Sequence, residues 1–119
     1  LAEAAEKHRV TLDLETTFNA DQLLMIVERI GSDYVKVYSD MGNVTSRGMD
    51  PAAELRSLGD KVGMIHAKDT DRKMLGEGRV DIKSVDASFV AAEEIKGVPP
   101  RIATGPIGVF YKLRKYTFG

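Results

Sequence analysis

Three segments with apolar residues at alternate positions recur about every 25 residues: Val10 to Glu15, Tyr34 to Asp40, and a run that opens at Val62. Helix-forming stretches separate them. That rhythm limits the fold more than any other feature of the chain. The connections are too long for hairpins, and parallel strands need a crossover of a dozen or more residues. Such crossovers are right-handed. The expected order is therefore α-β-α-β-α-β-α, an α/β chain built of parallel βα units.

The local signals agree. Leu1 to His8 is rich in Ala and Glu, which favour helix. Asn19 or Asp21 can cap the next helix, DQLLMIVERIG, which Gly31 ends and whose apolar face is Leu23, Leu24, Ile26, Val27 and Ile30. MGNVTSRGM reads as a polar loop, and Asp50-Pro51 as the N-cap and first-turn proline of PAAELRSLG. Asp81 starts a last helix, IKSVDASFVAAEEIK, which Gly97-Val98-Pro99-Pro100 stops. The strand-to-strand period approaches the roughly 31 residues per unit of a (β/α)8 barrel. A fourth strand at Ile107 to Leu113 is a weaker candidate.

Composition excludes more than it proposes. A chain of 119 residues suits one domain with a modest core. Its net charge of -1 gives no general attraction to nucleic acid or an anionic membrane, and neither is expected as a partner. With no cysteine, disulfides and thiolate metal sites are ruled out. No apolar run approaches the roughly 20 residues of a membrane span. No secretory signal is evident and the first residue is Leu1, so the start reads as a fragment boundary and a cytoplasmic location is expected. After Lys96 there are four cations and no acid, so the preceding residues carry about -5 of the total.

The chemistry gathers at the strand ends. Each of the three strands finishes in a potential metal ligand: Glu15, Asp40 and His66. Parallel strands put their C-terminal ends on one edge, where α/β proteins place their sites. Two carboxylates and an imidazole suit a divalent ion such as Mn2+, Co2+, Mg2+ or Zn2+. Counting back by twos from each ligand gives Asp13 and Thr11, Tyr38 and Lys36, and Met64 and Val62 as the inward rows. The opposite rows, Leu12/Leu14, Val35/Val37 and Gly63/Ile65, are expected to meet the helices. Taken singly, each ligand could be a helix cap or a hydrogen-bonded surface group. Lys68, Asp69 and Arg72 could equally be a solvated charge run, and Gly76-Glu77-Gly78 a plain turn.

LETTFN, YSDMGN with SRGMDPAAEL, and HAKDTDRKMLGEGRVD resemble the later strands and loops of the xylose isomerase-like TIM-barrel superfamily, the sugar phosphate isomerase/epimerase group. The resemblance covers Leu1 to Lys96 and implies a half (β/α)8 barrel, with 97–119 as a basic Gly- and Pro-containing tail or an added strand. It implies a divalent metal held by Glu15, Asp40 and His66, with Glu15 also the catalytic acid/base. It implies substrate contacts at Arg72 and at Asn43, the position three after the aspartate, and Lys68 joins them as a substrate-binding candidate. The substrate would be a sugar or sugar phosphate. The family's fourth ligand, a glutamate on a later strand, has no acidic counterpart in GVPPRIATGPIGVFYKLRKYTFG.

Three functions follow for testing. The first is a metal-dependent sugar isomerase or epimerase. The second is a non-catalytic half-barrel or partner-binding module. The third, a metal-dependent phosphodiester nuclease, ranks last because such sites need more histidines than His8 and His66. Half a barrel leaves sheet edges open, and a homodimer of two four-stranded halves would supply eight strands.

Overall fold

A computed structural model describes residues 1–88 together with the backbone of two strands at 101–104 and 109–110. The elements run α1 (Ala2–His8), β1 (Leu12–Leu14), α2 (Ala20–Ile30), β2 (Val35–Asp40), α3 (Met41–Ser46), α4 (Pro51–Leu58), β3 (Val62–Ala67), α5 (82–88), β4 (Arg101–Thr104) and β5 (Val109–Phe110). The strands lie side by side in chain order, with β1, β2, β3 and β4 all parallel and β5 antiparallel to β4. The alternation of strand and helix thus produces the parallel α/β sheet expected of it. The second half of the last helix, its glycine-proline stop and most of the 107–113 segment lie outside the described residues.

Helix ends follow the local chemistry. Asn19, not Asp21, caps α2: its side chain accepts the Gln22 N–H while the Gln22 side chain accepts the Asn19 N–H. This reciprocal pair satisfies two otherwise orphaned donors. Gly31 ends the same helix at φ 69, where a side chain is disfavoured. Asp50 caps α4 through the Ala52 N–H, with Pro51 in the first turn. MGNVTSRGM departs from expectation, because Met41–Ser46 is a helix rather than a loop. Asp40 caps it by accepting the Asn43 N–H at 2.9 Å, and Met41 and Val44, one turn apart, are buried.

One sheet face carries the core. Leu23 and Val27 of α2 pack with Val35, Val37 and Leu58, and Met41, Ala52 and Leu55 pack with Ile65, Val80 and Val85. Ile30, expected on the apolar face of α2, is instead exposed, as is Val10 ahead of the shortened β1. Leu12, Leu14, Val35, Val37 and Ile65 meet the helical side as their alternation requires.

The alternation fails at one place in β3. Val37 pairs with Val62, but the next residue, Tyr38, pairs with Met64, so Gly63 is an extra residue in the ladder. This β-bulge reverses two assignments. Val62, expected inward, packs against both helical-side clusters. Gly63, expected outward, faces the polar side, where a Cβ would collide with the Asp13 carboxylate and the Lys36 stem. From Met64 onward the expected rows are restored, and His66 pairs with Asp40.

Candidate metal centre

The three strand-end groups come together. Asp40 and His66 are direct neighbours across β2 and β3, and Glu15 follows the last residue of β1. His66 Nδ1 lies 3.2 Å from Asp40 Oδ2 and 3.7 Å from Glu15 Oε1. One ligand atom from each of the three lies within 4.8 Å of the others. An ion held at the usual ~2.1 Å from each donor spans separations of this order. Two carboxylate oxygens and an imidazole nitrogen form a donor set that fits a divalent cation.

Burial divides the three unequally. The Asp40 side chain is 3% exposed, whereas that of Glu15 is 43% exposed. Asp40 is therefore fixed in the sheet, and Glu15 is open to an approaching molecule. Tyr38, from the same inward row, has its ring centroid 5.9 Å from that of His66. Burial, followed by the negative charges of Glu15, Asp40 and Asp13, pushes the Tyr38 hydroxyl above its ordinary pKa. Burial is the largest of these causes, and the three carboxylates add to it as charges that disfavour one more anion.

Of the substrate-contact candidates, Lys68 reaches the triad: its Nζ lies 2.7 Å from Asp40 Oδ2. Asn43 joins through its backbone N–H, which is bonded to Asp40 Oδ1. Arg72 is exposed, and among the described residues no ion pair joins it to Glu15 or Asp40. It follows Asp71, and both occupy the left-handed region at φ 58.

The charge run after His66 conceals a structural residue. Asp69 is buried, and its carboxylate accepts four backbone N–H groups, from Thr70, Gly76, Gly78 and Val80. Burial works to raise its pKa, but these four bonds outweigh it and hold the carboxyl below its ordinary value. Thr70 adds a fifth tie by accepting the Arg79 N–H. Gly78 is required because a Cβ there would overlap the Asp69 carboxylate. The glycines at 76 and 78 were the available signal: Gly76 turns the chain at φ 91, and the bare backbone of Gly78 lets the carboxylate approach closely. Behind the sheet, buried Glu54 accepts a 2.8 Å bond from Ser39 Oγ, and burial raises its pKa.

An L-ribulose 3-epimerase from Mesorhizobium japonicum is 28% identical over 99 residues, which cover 76% of this chain and 33% of that protein. A solved structure of L-ribulose 3-epimerase superposes with a TM-score of 0.68 at 21% identity, over 90% of this chain and 38% of the other. That likeness shows the fold. The chain spans about a third of the length of these relatives. Residues 1–93 match the family described as "Xylose isomerase-like TIM barrel", and the chain belongs to that family, as part of a barrel.

Proposed function

We propose that this chain is the metal-binding part of a sugar isomerase or epimerase. The observation that supports it is the convergence of Glu15, Asp40 and His66 at the C-terminal ends of three adjacent parallel strands. These three residues would hold the divalent ion, Mn2+, Co2+, Mg2+ or Zn2+, whose chemistry there is to polarise the carbonyl and hydroxyl oxygens of a ketose. Asp40 anchors the site, because the cap of α3 and the sheet hold it from two directions. Glu15, the most open of the three, takes the proton from the carbon beside the carbonyl in one direction of the reaction and returns it in the other, with a second acid/base acting on the opposite face. Lys68 and Asn43 flank Asp40 and bind hydroxyl or phosphate oxygens of the substrate, and Arg72 reaches the same substrate from the loop after β3.

The fourth ligand and a second acid/base on the opposite substrate face must come from elsewhere than 97–119, which contains no acid. A second copy of the chain is one source. Pairing of two copies would also cover the polar inner face and the free edge of β1. Light scattering that shows only monomer at micromolar concentration would remove this homodimer.

The test is calorimetric titration with Mn2+, followed by turnover assays on a ketose panel headed by L-ribulose and including ketose phosphates. Heat of binding with epimer formation is the expected result. No heat and no thermal shift would end the metal assignment. Binding without turnover would favour the second reading, a non-catalytic half-barrel or partner-binding module. The feature that favours that reading is the lack of an acidic residue in 97–119 to serve as the fourth ligand.

A further inference from the structure

Both oxygens of the Asp40 carboxylate are engaged. Oδ1 accepts the Asn43 N–H and closes the first turn of α3. Oδ2 faces His66 Nδ1 at 3.2 Å and Lys68 Nζ at 2.7 Å. Oδ2 is thus the oxygen that Asp40 turns toward His66, and it is the oxygen on which the lysine ammonium rests. The path of the lysine is built into the fold. A Cβ on buried Gly42 would meet Lys68 Cγ at 2.9 Å and Cε at 3.2 Å, so the stem lies across a bare glycine at the start of α3. The side chain of Lys68 is 37% exposed, against 3% for Asp40, so the lysine reaches solvent while the aspartate is enclosed by protein.

We propose that Lys68 is the resident counter-cation of the Glu15–Asp40–His66 site and sets its metal affinity. In the metal-free protein its ammonium neutralises Asp40 and lets two carboxylates stand beside one imidazole. An entering divalent ion must displace the ammonium from Oδ2, or bind against its repulsion. In either case the lysine charge weakens binding, because like charges a few ångströms apart repel strongly where water is scarce. The proposal rests on the metal reading of the triad.

The test compares the full native chain with Lys68→Met and Lys68→Arg in calorimetric titrations with Mn2+ at one pH and ionic strength. Methionine keeps an unbranched stem over Gly42 and removes the charge; arginine keeps the charge. Lys68→Met should bind Mn2+ about tenfold more tightly than the native chain, equivalent to about 1.4 kcal/mol, and Lys68→Arg should stay close to native. Without metal, Lys68→Met should melt below the native chain, and saturating Mn2+ should raise its melting temperature by the larger amount. Far-UV circular dichroism verifies that each variant is folded. If the native chain binds and Lys68→Met binds equally or less tightly, the counter-cation role is overturned and the metal site stands. If neither binds, the metal reading falls and takes this proposal with it. If only Lys68→Met binds, the lysine is the barrier, which supports the proposal most strongly.

Discussion

Replacing Asp69 by asparagine tests how the loop after β3 is held. The carboxylate accepts Thr70 N at 2.7 Å and Val80 N at 3.1 Å on Oδ1, and Gly76 N at 2.9 Å and Gly78 N at 3.0 Å on Oδ2. An asparagine amide has one carbonyl oxygen, so it keeps two of the four bonds. Its NH2 group then faces two N–H donors. A hydrogen bond to a charged group contributes about 1.5–3 kcal/mol, and loss of two with partial rescue of Gly76 by water costs about 3 kcal/mol. For a domain of this size that is a fall of roughly 12–20 °C in melting temperature. Hydrogen exchange should accelerate at Gly76, Gly78 and Val80 before the rest of the sheet.

The pH dependence carries the sign. The folded carboxyl sits below its ordinary value, so its contribution is complete above the unfolded pKa of about 3.9 and declines as pH falls through the folded value. The stability gap between native and variant should therefore be constant from pH 7 to about pH 5 and shrink below about pH 4. A melting temperature within 3 °C of native at pH 7, or a gap that persists unchanged into strong acid, would refute the reasoning.

Asp40→Asn should separate the two tasks of Asp40. Asparagine is as good an N-cap, so thermal stability should stay within about 1 kcal/mol while calorimetry shows Mn2+ affinity falling at least about tenfold, given the lost anionic ligand. Glu54→Gln should be neutral or stabilising at pH 8. The raised pKa of Glu54 means that the native chain loses stability as pH rises from the ordinary glutamate value through the folded one, and glutamine keeps the Ser39 bond without that loss. Melts from pH 5 to pH 8 should show the two curves diverging in that direction. Gly63→Ala should cost about 1–3 kcal/mol by denaturant titration, because the new methyl group overlaps the Asp13 carboxylate and the Lys36 stem.

Periodicity and strand ends made most of this architecture legible in the sequence. The apolar rows of β1 and β2 face the helices because two-residue alternation admits no other arrangement once the strands are parallel. The convergence of Glu15, Asp40 and His66 follows from the same rule. Features that depend on partners far along the chain were not legible. Lys68 and Asp69 are adjacent in a charge run, yet one pairs with the preceding strand and the other binds the backbone of its own loop. Nothing in HAKDTDR distinguishes them. The six-residue helix after β2 was hidden because its cap, Asp40, is also the group aimed at the site. A short polar stretch with two buried apolar positions carries too little periodicity to reveal a helix.

The bulge at Gly63 decides where the histidine goes. Val62 and His66 are four residues apart, an even step, and in a regular strand they would share a side. Val62 is anchored among the helices, so an unbroken strand would carry the imidazole into the hydrocarbon and leave Glu15 and Asp40 without their third member. The bulge takes Gly63 out of the alternation, so that Val62 and His66 stand on opposite sides although four residues separate them. Deleting Gly63 should therefore leave the histidine in the site, because three regular steps from Val62 reach that same side, whereas straightening the strand with Gly63 retained would turn the imidazole away from Glu15 and Asp40.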